Sequence, residues 1–177
     1  MNKAAKLIEQ ILLLRCQIGD RDALAELIDR YSRSLRYFIS RLLGNNEMAE
    51  DVFQDTWLTV IRRIHSLKEV DAFGAWLYRI ARNKVYLQLR KKKSLSELNE
   101  NITAANDDDS DDFSPEDAAE LHKCLEKLRP EHKEVLMLRF LEQMSYEGIS
   151  KVINRSVGTV RSRIHYAKCA LRKEMEK

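Results

Sequence analysis

The sequence predicts an all-α chain: two small helical domains joined by an acidic flexible linker, the C-terminal one a helix-turn-helix. Three observations carry that prediction. Apolar residues recur at steps of three and four near both ends of the chain, the period of a helix with one buried face. Only 5 glycines and 2 prolines punctuate 177 residues, too few for a turn-rich β fold. Charge is segregated into three blocks. Residues 1–93 hold 18 Lys and Arg against 11 Asp and Glu, a net of +7. Residues 94–120 hold 10 acids and no base. Residues 121–177 hold 13 bases and 7 acids, so the overall charge of +3 conceals two basic lobes around an acidic tether. These blocks set the domain bounds at 1–93, 94–120 and 121–177.

In chain order, Met1 to Gln17 reads as an amphipathic helix, with Leu7, Ile8, Ile11, Leu12 and Leu14 broken by Glu9, Gln10 and Arg15. It is not a signal peptide. Ala49 to Ile64 is the next strong helical pattern, with Ala49, Val52, Phe53, Trp57, Val60, Ile61 and Ile64 on one broad face. Glu50, Asp51, Gln54, Asp55 and Arg62 occupy the other, and Leu58 lies among them as a candidate docking residue. A third helix runs from about Ala75 to Lys93. Its expected inner face is Phe73, Trp76, Leu77, Ile80 and Leu87, with Lys84 snorkelling its amine to solvent. Tyr78, Arg82, Tyr86, Leu89 and Lys93 project the other way, beside Arg79 and Arg90. Aromatics interleaved with cations suit single-stranded nucleic acid, since bases stack on rings while cations follow the phosphates. Periodicity leaves open the alternative that Tyr78 and Tyr86 pack on a neighbouring helix.

The tether cannot bury enough apolar surface to fold alone and reads as disordered in the free protein. Its 27 residues reach at most ~90 Å at ~3.3 Å each, enough to span sites one or two duplex turns (~35–70 Å) apart. Its acidity suits a basic groove on a protein, or marks an inert spacer. Ser114-Pro115-Glu116-Asp117 supplies a cap, an N1 proline and acids for the next helix start.

Ser145 to Lys173 carries the helix-turn-helix pattern: Ser145 to Ile153, a break at Asn154-Arg155-Ser156, and a second helix from Val157. Ser156 stands where an N-cap belongs. Val157, Val160, Ile164, Ala167 and Leu171 form one stripe. The opposite face carries Gly158, Thr159, Ser162, His165, Tyr166 and Cys169, flanked by Arg161 and Arg163. Small polar residues let such a helix sit deep in the major groove, with guanidiniums reaching guanine edges or phosphates.

Other classes fit less well. The four histidines (His65, His122, His132 and His165) have no HExxH-like spacing, and no glycine-rich phosphate loop or GxSxG turn appears. No catalytic residue, metal ligand or cofactor is therefore expected. Cys16, Cys124 and Cys169 are isolated from one another, which fits a reducing cytoplasm rather than a disulfide framework. No apolar run approaches the ~20 residues of a membrane span. A duplex-binding regulator would account for Val157–Ala170 but leave the Arg/Tyr face of Ala75–Lys93 without a purpose; an all-helical protein adaptor is disfavoured by the two basic lobes.

Three segments in order, Glu50-Asp-Val-Phe-Gln-Asp-Thr-Trp57, Phe73-Gly-Ala-Trp-Leu-Tyr-Arg-Ile-Ala-Arg-Asn83 and Val157-Gly-Thr-Val-Arg-Ser-Arg163, resemble the signatures of bacterial RNA polymerase sigma factors of the short extracytoplasmic-function group. The resemblance implies that Asp51, Gln54, Asp55 and Leu58 bind core RNA polymerase. It implies that Tyr78, Arg79, Arg82, Asn83, Tyr86 and Arg90 contact the melted minus-ten strand, with Asn83 on a flipped base. It assigns the minus-thirty-five duplex to Thr159, Arg161, Ser162, Arg163, His165 and Tyr166. It further implies an anti-sigma factor as partner, a linker threading the polymerase channels, and a cytoplasmic protein without direct membrane insertion. The chain departs from the family pattern at Leu87, where Asp is usual, and at Tyr166, where Arg is usual. Gly148 and Ser150 replace residues of an Glu-Ile-Ala pattern, and an interior helical Gly costs roughly 1 kcal/mol relative to Ala.

Overall fold

The computed structural model describes residues 3–96 and 123–176. Most of the acidic tether and the Ser114-Pro115 helix start lie outside the described residues. Among the described residues there are helices and no strands.

The N-terminal lobe is built from α1 (Lys3–Gln17), α2 (Arg21–Leu43), α3 (Asn46–Arg63) and α4 (Phe73–Ser96), with 3-10 turns at Ile64–Ser66 and Val70–Ala72 before α4. Each break has a local cause. Asp20 caps α2 by accepting from the Asp22 and Ala23 amides at 3.0 Å each. Gly44 ends α2 in the left-handed region at φ 63°, which glycine adopts without a Cβ penalty. Asn45 then caps α3, accepting from the Met48 amide at 2.8 Å, so α3 starts three residues earlier than its apolar pattern suggests. Leu27, Leu35, Phe38 and Ile39 of α2 meet Val52, Trp57 and Val60 of α3 and Phe73, Leu77, Tyr78 and Val85 of α4 in one core. Phe38 and Tyr78 pack edge to face with ring centroids 5.1 Å apart.

The C-terminal lobe follows a helical turn at 123–126. It comprises α5 (Pro130–Leu136), a π-helical turn (Met137–Leu141), α6 (Tyr146–Ile153) and α7 (Val157–Met175). Val135, Leu138, Ile149, Val152, Val160, Ile164 and Ala167 are buried together. The two lobes touch: α4 packs along α6, and α2 meets α5.

Three sequence expectations are corrected. Leu87 is 53% exposed and does not line the inner face of α4, because the core on that side is completed by Ala81 and Val85. On α1, of the five apolar residues named for the amphipathic helix only Leu12 is buried, joined by Leu13 and Cys16; Leu7, Ile8, Ile11 and Leu14 face outward. Gly148 is not interior to its helix. It is the third residue of α6, and its amide donates to the Ser145 hydroxyl that caps the helix, at 3.0 Å.

Candidate nucleic-acid interface

The helix-turn-helix is set by three short-range hydrogen-bonding devices. Ser145 caps α6. Asn154 closes it in the left-handed conformation at φ 52°, its amide bonded to the Ser150 carbonyl. Ser156 then caps α7 by accepting from the Thr159 amide at 3.2 Å. With Val160, Ile164 and Ala167 buried, the opposite face presents Arg161, Ser162, His165 and Tyr166 to solvent, while Thr159 and Arg163 are half-buried. Ser162 donates to the Thr159 carbonyl at 3.0 Å, and the His165 and Tyr166 rings meet edge to face at 5.6 Å. A helix with a polar, exposed face and cations on its flank has the geometry of a major-groove reader.

On α4 the expected strand-facing set divides. Arg79, Asn83 and Arg90 are exposed. Tyr78 is not: its ring lies in the N-terminal core against Phe38, and its hydroxyl donates to Ser34 at 3.0 Å. The expectation that it projects outward fails because α2 crosses α4 there, a tertiary contact that periodicity does not encode. Arg82 and Tyr86 point outward from α4 but are covered by the C-terminal lobe. Arg82 forms an ion pair with Glu134 of α5, and the Tyr86 hydroxyl donates to the other Glu134 oxygen at 3.1 Å. The Arg82 guanidinium also lies 4.5 Å over the Tyr86 ring.

Glu134 is fully buried, and burial pushes its carboxyl above the usual range against the pull of the Arg82 charge, the Arg82 and Tyr86 hydrogen bonds and the nearby charge of Arg163. Burial likewise raises Glu142, whose carboxylate faces the hydroxyls of Tyr78 and Ser34. Further lobe-to-lobe pairs are Arg41 with Glu126 at 3.0 Å and Lys151 with Glu69 at 3.5 Å. Between the lobes lies a cleft of about 760 Å³, lined by Lys68, Trp76, Arg79, Lys151 and Arg155 among others. Sequence reasoning missed Glu134 and Glu142. A signal existed for the first: at helical spacing Glu134 shares its face with Met137 and Leu138, an acid on an apolar stripe.

On α3 the other predicted patch is present as a surface. Asp51, Gln54 and Asp55 are exposed, and Leu58 is 48% exposed beside them. Gln54 leans on Glu50 at 3.4 Å, and Glu50 is held by Arg36 at 2.9 Å. Asp55 pairs with Lys84 of α4 at 3.0 Å, so the Lys84 amine finds a partner on α3 rather than open solvent. Among the described residues no group of His, Cys, Asp and Glu could hold a metal ion, and no helix is long and apolar enough to cross a membrane.

Comparison with known proteins agrees with this layout. Residues 27–95 match the Sigma-70 region 2 family model, and residues 118–171 match that for Sigma-70, region 4. The ECF RNA polymerase sigma factor SigW of Bacillus subtilis is 34% identical over 170 residues, covering 89% of this chain and 91% of that protein. The ECF RNA polymerase sigma-E factor of Haemophilus influenzae is 33% identical over 184 residues, covering 93% and 94%. Among solved structures, RpoE from Bartonella quintana, in complex with the anti-sigma factor NepR, has a TM-score of 0.77 at 24% identity over 86% of this chain and 96% of that one. CnrH in complex with the cytosolic domain of CnrY has a TM-score of 0.70 at 23% identity over 95% and 97%. The fold is that of these structures, and with both regions matched in order the chain belongs to the ECF RNA polymerase sigma factors.

Proposed function

We propose that the chain binds core RNA polymerase through Asp51, Gln54, Asp55 and Leu58 on α3 and reads the upstream promoter element with α7. It then holds the melted minus-ten strand on α4. The observation that carries this reading is the exposed row of Arg79, Asn83 and Arg90 on a helix whose other face is locked in the core. Asn83 takes a flipped base, and the arginines take strand phosphates. Arg161, Ser162, His165 and Tyr166 read or flank base edges, with Thr159 and Arg163 closer to the backbone. Tyr78 acts indirectly, by fixing α4. The chain supplies specificity and strand opening and carries out no chemistry itself. Residues 1–93 and 121–177 work as separate modules on either side of the 94–120 tether, in the cytoplasm, where the polymerase is.

The closed arrangement of the lobes is an off state. Glu134 occupies Arg82 and Tyr86 as a strand phosphate would, so the lobes must part before α4 receives DNA. An anti-sigma factor that grips both lobes would hold this state, and the two solved relatives bound to NepR and CnrY are the precedent for such a partner. Run-off transcription with bacterial core polymerase on a random promoter library tests the whole reading. Transcripts sharing two spaced elements are expected; none, with an active core and folded protein, would leave a duplex-binding regulator. Asn83→Ala should lower open-complex formation while polymerase binding persists, and loss of both would remove Asn83 from the strand-contacting set.

A further inference from the structure

The outward face of α7 changes character along its length. With Val160, Ile164 and Ala167 buried, ~100° per residue places Ser162 and Cys169 opposite them, and His165 and Tyr166 to either side of that line. All four are exposed. The cations of this stretch are drawn to its flanks. Arg161 leans toward the Tyr146 ring, 6.0 Å from its centroid, and Lys168 lies 5.6 Å from that of Phe140. Arg163 is half-buried on the side of Glu134. From Ser162 to Cys169 the outermost line therefore carries neither Lys nor Arg.

Beyond Ser162 that line becomes a patch of rings and sulfur. The His165 and Tyr166 rings meet edge to face with centroids 5.6 Å apart, and the Cys169 sulfur lies 3.9 Å from His165 Nε2. Tyr166 is 63% exposed and adds nothing to the core, although a phenol ring is a large apolar surface to leave in water. It stands where the family pattern has Arg, so a ring takes the place of a phosphate-seeking cation. Major-groove base edges offer hydrogen-bonding groups and one apolar group, the thymine C5 methyl. A ring that cannot neutralise a phosphate gains most by covering that methyl.

We infer, on the duplex-reading role proposed for α7, that Tyr166 is a specificity-determining residue. Braced by His165, its ring covers a thymine C5 methyl in the upstream element and selects thymine there. The test uses the full chain bound to core RNA polymerase and the promoter recovered from the random library. Each thymidine of the upstream element is replaced in turn by 2′-deoxyuridine, which removes the methyl and keeps every hydrogen-bonding group. At one or two positions this should weaken promoter binding about fourfold, the cost of returning one methyl-sized contact to water. Tyr166→Phe should keep that sensitivity and Tyr166→Ala should abolish it. Tyr166→Arg should abolish it too, while steepening the fall of affinity with salt, because a phosphate contact has been added. An upstream element without thymine, one insensitive to uracil at every position, or a sensitivity that survives Tyr166→Ala overturns the inference. If no base change in the upstream element matters and Arg161→Ala ranks promoters as the native chain does, duplex reading by α7 falls, and the inference with it.

Discussion

The Arg/Tyr face of α4 and the polar face of α7 are built from similar residues, yet one is half covered and the other open. Arg161, Ser162, His165 and Tyr166 meet solvent, whereas Arg82 and Tyr86 are engaged by a buried glutamate from the opposite lobe. On the proposed function, the difference lies in what each surface awaits. A duplex can be met by a free protein, while a single strand exists only after melting. On that same function, the α4 side chains meant for the second task are satisfied by an internal carboxylate until the lobes part.

The largest effect is expected at Glu134. Glu134→Lys opposes a second cation to Arg82, and disrupting a buried pair costs about 3–5 kcal/mol. Fluorescence energy transfer between dyes on the two lobes should then report separation, and the free protein should gain affinity for a single-stranded minus-ten oligonucleotide. An unchanged transfer efficiency would mean that Glu134 does not latch the lobes. On the open side, Arg161→Ala should cost about 1–3 kcal/mol at one or two base pairs of the upstream element. Promoter variants ranked identically by both proteins would exclude Arg161 from base reading.

Acidity should shift the balance between closed and open lobes by a smaller amount. Glu134 and Glu142 both have raised carboxyl pKa values when the lobes are closed, so closure takes up protons. The closed form is therefore favoured as pH falls. Its advantage shrinks as pH rises from the ordinary value of 4.5 through the raised ones and is level above them. The groups facing these carboxyls are Arg82, Tyr86 and Arg163 around Glu134, and Tyr78 and Ser34 around Glu142. Asp20 and Glu50 have lowered values but lie within the N-terminal lobe, so they do not set this response. A titration of the same inter-lobe signal checks the sign; opening on acidification in this window would contradict it. The smallest effect expected is at Gly148. A Cβ there would meet the Ser145 hydroxyl at 3.5 Å and the Met144 Cβ at 3.7 Å, ordinary contacts. Gly148→Ala should stabilise the reading lobe by about 0.4–1 kcal/mol, measurable as a higher midpoint in thermal unfolding. A lower midpoint would indicate crowding against the cap.

The helix-turn-helix was legible almost residue by residue because its determinants are local. Ser145, Asn154 and Ser156 set the helix ends through bonds spanning three or four residues, and the stripe from Val160 to Ala167 follows directly from the period. The same holds for α3, apart from a start shifted by the Asn45 cap. What escaped is tertiary. Periodicity puts Tyr78 and Tyr86 on the same side of α4, but only the crossing of α2 buries the first and only the far lobe covers the second. Leu87 looks like core by type and lies outside it by position. The contacts of Glu134 with Arg82 and Tyr86 could not be read from the sequence because these partners sit about fifty residues away in the chain. On α1, sequence showed apolar residues on most sides of the helix without showing which side the fold would use.

The anchoring of Tyr78 has a mechanical consequence. With its ring wedged against Phe38 and its hydroxyl tied to Ser34, α4 is keyed like a shaft in a slot and cannot roll about its axis. A roll by one residue, ~100°, would carry Asn83 out of alignment and bring Lys84, now clamped to Asp55, toward its place. The base capture proposed for Asn83 demands angular precision of a slender rod, and the buried Tyr78 beneath it supplies that.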